Sequence, residues 1–123
     1  VKTSSIHFIF KGKSDYKDLV PVFPEILREF LVEIDQMPEE EEIFQMYVET
    51  NMVNLEANRK PEGYNRKGKL RLIFPIPETK KEFYIKAYGK SVEAEKVRQM
   101  IVAKLDGIKF KYEVKENVDT DID

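Results

Sequence analysis

The residues that could carry chemistry are few and scattered. The chain holds one histidine and no cysteine, so a metal site built from those two ligand types is excluded by count. The histidine, His7, falls among the alternating Ile6, Phe8 and Phe10 of a first strand. A serine or threonine nucleophile needs a base beside it, and the chain has no G-x-S-x-G turn. His7 is therefore expected to be a surface or hydrogen-bonded strand residue and not a catalytic base. The five glycines, at 12, 63, 68, 89 and 107, build no phosphate-cradling G-x-G-x-x-G or G-x-x-x-x-G-K. The 23 acidic residues leave paired carboxylates open, yet none sits where the pattern alone implies burial. Glu39 to Glu42 offer calcium-type ligands, but successive helical residues point around the axis, so a solvated loop or helix start is expected. The expectation is a chain with no catalytic residue, cofactor or metal.

One loop could bind an anion. Arg59, Lys60, Arg66, Lys67, Lys69 and Arg71 surround Tyr64, and Glu62 is the only acid among them, a balance of +5. Cations around an aromatic ring can hold a phosphate backbone and stack a base. Lys80 and Lys81 extend the set, and Tyr84, Lys86 and Tyr88 share the strand face opposite Phe83, Ile85 and Ala87. The run from Lys67 to Phe74 has the basic-Gly start and aromatic end of the RNA-recognition motif's signature. Lys69 and Arg71 stand where that pattern sets stacking aromatics, so the run is not taken as that motif.

The net charge of −2 hides a division: residues 1–57 carry −7, residues 58–111 carry +9 and residues 112–123 carry −4. Such asymmetry points either to an anionic partner or to oppositely charged parts that neutralise one another within the fold or between two copies.

These side chains must be positioned by one domain, since 123 residues can bury a core without disulfide or metal staples. Alternation predicts a strand over 5–11, and Ser14 and Asp15 offer capping oxygens for a short helical turn over 15–20. A main helix follows with Pro24 at its first position and a buried stripe of Ile26, Leu27, Phe30, Leu31 and Ile34. Residues 43–57 fit either period. The alternation of Phe44, Met46, Val48, Thr50 and Met52 favours a strand with a turn near Thr50 and Asn51. Runs at 70–74 and 83–88 pair as an antiparallel hairpin. Ser91 caps a helix over 91–106 whose face is Ala94, Val97, Met100, Ile101 and Leu105. Gly107 is expected as its left-handed stop, before a strand over 108–115.

The order β-α-β-β-β-α-β implies an α+β domain over 1–116, with an antiparallel or mixed sheet of four to five strands and two main helices on one face. Residues 117–123 read as a frayed acidic tail. No run reaches the roughly 18 apolar residues of a membrane span, and the N-terminal residues lack a secretory core, so a cytoplasmic location is expected. The functional expectation is a non-catalytic protein-interaction or regulatory module, docking another protein or a second copy of itself. The alternative is a nucleic-acid-binding module using loop 59–71 and the Tyr84, Lys86 and Tyr88 face.

Overall fold

In a computed structural model, which describes residues 3–88 and 91–117, alternation does set the strands. Strand β1, Thr3–Phe10, turns Ile6, Phe8 and Phe10 to one side. It lies between β3, Glu82–Tyr88, and β4, Tyr112–Glu116, antiparallel to both. Strand β2, Leu70–Ile73, pairs antiparallel with β3, giving the sheet order β2-β3-β1-β4. The register sets Phe8 against both Phe83 and Val114, and Ile85 against both Ile6 and Leu72. The apolar halves of all four strands thus share one face. This is an α+β domain with a four-stranded antiparallel sheet.

Strands β3 and β4 run in the same direction with β1 between them, a split β-α-β arrangement. The helix joining them, α3 (Val92–Gly107), is capped by Ser91, whose hydroxyl accepts from the Ala94 N–H at 3.0 Å. Helix α1, Phe23–Glu33, buries Ile26, Leu27, Phe30 and Leu31 in the same cluster as Val97, Ile101 and Leu105 of α3. Pro24 takes its second position, where a missing amide hydrogen costs nothing. Before α1, a 3-10 turn over Tyr16–Leu19 is closed by Asp15 and Asp18, each accepting from the other's end of the turn.

Three expectations are corrected. Residues 43–57 form no strand and no turn at Thr50: helix α2, Glu41–Glu56, runs through them. The sheet therefore has four strands, and the element order is β-α-α-β-β-α-β. The period-two look has a physical origin, because α2 carries apolar residues on two opposite sides. Phe44, Val48, Asn51 and Leu55 are buried, while Ile43, Met46 and Val53 are exposed. Second, Gly107 is not a left-handed stop but the last helical residue of α3. Lys109 adopts φ +58° instead, and the Phe110 N–H reaches back to the Leu105 carbonyl at 3.0 Å. The extra turn lets Phe110 join the core. Third, β4 begins only at Tyr112, because residues 108–110 complete that helix stop. Asn117 is held by Ser5, donating its N–H to the Ser5 carbonyl at 2.8 Å. The rest of the acidic tail, and Gly89, lie outside the described residues.

Helix α2 is fastened to the loop after it through Asn51. Its amide oxygen accepts from the Gly63 N–H at 2.6 Å, and its NH2 donates to the Tyr47 carbonyl at 2.9 Å and the Gly63 carbonyl at 3.4 Å. Gly63 has φ +71°, and a Cβ there would stand 2.6 Å from the Leu72 carbonyl oxygen, part of the Tyr64–Leu72 bridge. Both the dihedral and the contact therefore demand glycine. Gly63→Ala is expected to lower unfolding free energy in urea by about 2–4 kcal/mol, more than an exposed Gly→Ala would. An unchanged urea midpoint would show that this loop does not depend on the close approach.

Candidate functional site

The second face of the sheet is polar in sequence and buried in the structure. The register sets His7 of β1 opposite Tyr84 of β3, Ser5 opposite Lys86 and Ile9 opposite Glu82. Relative exposure is 0% for His7, 4% for Glu82, 3% for Tyr84 and 5% for Lys86. His7 Nδ1 lies 2.5 Å from Glu82 Oε1, and Nε2 lies 2.8 Å from Ser5 Oγ. The imidazole stacks on the Tyr84 ring with centroids 4.6 Å apart. Lys80 stands 4.0 Å from the second Glu82 oxygen.

A hydroxyl, an imidazole and a carboxylate in that order are the parts of a nucleophilic relay. Two features argue against turnover here. Ser5 lies in a flat strand, not on a raised turn, and its N–H is taken by the Asn117 Oδ1 at 3.3 Å. The imidazole is also wholly covered and Ser5 nearly so, which leaves a reacting carbonyl little access to the hydroxyl. The network satisfies both ring nitrogens of the buried His7. It was hidden from the sequence because serine and histidine two apart on a strand are unremarkable, and only the β1–β3 register brings Glu82 to them. Among the described residues no group of three or more His, Cys, Asp or Glu is placed to hold a metal ion.

The described cations of loop 59–71 meet different partners. Arg66 lies over Tyr47 and Tyr64, 4.9 and 5.4 Å from their ring centroids. Tyr64 is buried and donates its hydroxyl to Gln36 at 2.8 Å. Lys69 pairs with Asp35 at 3.1 Å and Glu93 at 3.6 Å, and the Asp35 carboxylate hydrogen-bonded to it holds its ammonium above the ordinary lysine value. Lys60 donates to the Pro61 carbonyl, while Arg59 and Lys67 are exposed. Arg71 reaches Asn65 at 3.2 Å and lies 5.7 Å from the centroid of Tyr88, which Lys86 also approaches. Tyr88 is exposed but Tyr84 and Lys86 are not. Lys80 and Lys81 stand at the other end of β3, where Lys81 pairs with Asp15 at 2.8 Å.

Two other surfaces were not singled out from the sequence. An open groove of about 780 Å³ is edged by Lys13, Lys17, Lys109 and Lys111, with Asp18 the one acid of its lining, over Pro21, Ile108 and Phe110. None of these four lysines pairs with an acid among the described residues. The other surface is the outward side of α2, where Ile43, Met46 and Val53 are 38%, 61% and 61% exposed. Thr50 completes the row, and Glu42, Glu49 and Glu56 edge it, all exposed. Compared with protein-family models, curated proteins and solved structures, the chain matches none of them.

The buried network yields a prediction. The chain treated with a fluorophosphonate is expected to stay unlabelled at Ser5 by intact mass. Glu82→Ala should cost about 1–3 kcal/mol of stability, the penalty of orphaning a buried imidazole. Stoichiometric labelling that vanishes in His7→Ala would instead establish a nucleophilic site.

Proposed function

We propose that this chain is a non-catalytic docking module whose contact surface is the outward side of α2. The observation that carries the reading is the row Ile43, Met46, Thr50 and Val53, spaced three, four and three residues apart on a helix whose core-facing side is already filled. Scattered exposed apolar residues are ordinary, but an aligned row on one helix is the form of a helix-docking seam. No described helix is long and apolar enough to cross a membrane, so a bilayer-spanning use of the row finds no support.

A second reading, nucleic-acid binding, draws support from the groove of Lys13, Lys17, Lys109 and Lys111 more than from loop 59–71, where Lys69 is committed to acids. The two readings part in one experiment. A photo-crosslinking amino acid in place of Thr50 should capture a protein from the source lysate, and Met46→Asp with Val53→Asp should abolish that capture while leaving the melting temperature within a few degrees. Capture of RNA or DNA instead, lost when Lys13, Lys109 and Lys111 become glutamate and weakening steeply with salt, would replace the docking reading with the second.

A further inference from the structure

The charges beside the α2 row narrow the partner. Written as a heptad, Ile43 and Thr50 take one seam position and Met46 and Val53 the other. Glu42, Glu49 and Glu56 then fall seven residues apart on a single flank. Along the axis that spacing is about 10.5 Å, so the three carboxylates form a straight ridge beside the apolar row. The ridge is unneutralised: elsewhere acids meet cations, as Glu41 does Arg28 at 2.6 Å and Glu25 does Lys104 at 2.6 Å. No ion pair among the described residues reaches Glu42, Glu49 or Glu56, and α2 itself contains no lysine or arginine. Glu56 also stands in the last turn, where the helix dipole disfavours an acid. Glu42 lies in the first turn, where the dipole favours an acid, so only the Glu56 end of the ridge stands against it.

Resting on the docking reading above, we infer that the occupant of this surface is an amphipathic helix with lysines or arginines every seven residues beside its own apolar row. A second copy packed α2 against α2 brings three more glutamates to the seam and no cation on α2 to meet them, and like charges across a seam repel. An anionic lipid surface meets the same repulsion. A basic helix covers the apolar row and gains the three pairings together.

The test uses the full chain and two three-heptad helical peptides with leucine at both seam positions, one flanked by lysines and one by glutamates. Fluorescence anisotropy should show binding of the lysine peptide alone. Met46→Asp with Val53→Asp should weaken it about tenfold or more, through lost apolar burial. Glu42→Lys, Glu49→Lys and Glu56→Lys together should transfer binding to the glutamate peptide. Lysine-peptide binding that ignores Met46→Asp with Val53→Asp, or equal binding of both peptides, would overturn the inference. So would a dimer of the chain alone in sedimentation that Met46→Asp dissolves, which assigns the surface to a second copy. If neither peptide binds but Thr50 still captures a protein in a Met46-dependent way, the basic-helix inference falls while docking stands.

Discussion

Which side of α2 faces inward is the constraint on which the rest of this surface depends. The helix has apolar residues on two sides, so burial energy alone discriminates weakly between two rotations about its axis. Phe44, Val48 and Leu55 provide the larger inward side chains. Asn51 then makes the choice specific, because its amide fits only where the Gly63 N–H and carbonyl wait for it. Turning the helix over would bury Thr50 among apolar groups and leave both Gly63 polar groups unpaired, a penalty of a few kcal/mol. Arg28, lying 4.3 Å from the Phe44 ring centroid and paired with Glu41, braces the other end. With the inner side fixed, Ile43, Met46 and Val53 have nowhere to go but outward.

The same duality explains what could be read from the sequence. Helices α1 and α3 were legible because each has a single apolar side, and β1 and β3 because alternation there maps onto one core face. Helix α2 was not, since apolar residues on opposite sides of a helix recur nearly every second position and imitate a strand. The misreading and the proposed contact surface have one cause. The polar network of Ser5, His7 and Glu82 was illegible for another reason. Strand periodicity says which residues share a face on one strand, but the register between strands is set by packing elsewhere, here by Phe8 against Phe83.

Charge asymmetry along the chain resolves in two ways. Part of it is spent inside the fold, where cations of the later segment meet acids of the earlier one: Lys69 with Asp35, Lys81 with Asp15, Lys96 with Glu33 and Lys104 with Glu25 and Glu29. Such exposed pairs contribute little each, about 0–1 kcal/mol, and mainly even out the surface potential. What is left over falls into two groups of opposite sign. An acidic ridge lies on α2, and four lysines with no acid partner among the described residues edge the groove beside Phe110. Two opposite poles on one surface would ordinarily favour head-to-tail association of copies. The apolar row lies beside the acidic pole, so a stable contact there must also cover hydrocarbon.

The buried polar face bears on that argument. A sheet backed by helices on one side commonly leaves its other face to solvent or to ligand. Here the centre of that face is occupied by a hydrogen-bonded imidazole and carboxylate, with Tyr84 stacked on the imidazole. Such a network is costly to disturb, since removing any member leaves the others buried without partners. It rigidifies the sheet and leaves no open platform at its middle for a base to stack on. What remains open to a partner lies at the periphery of the sheet, on α2 and at the ends of the strands. On α2 an exposed apolar row runs beside a ridge of like charge, a combination by which a surface can select one class of helix and refuse another.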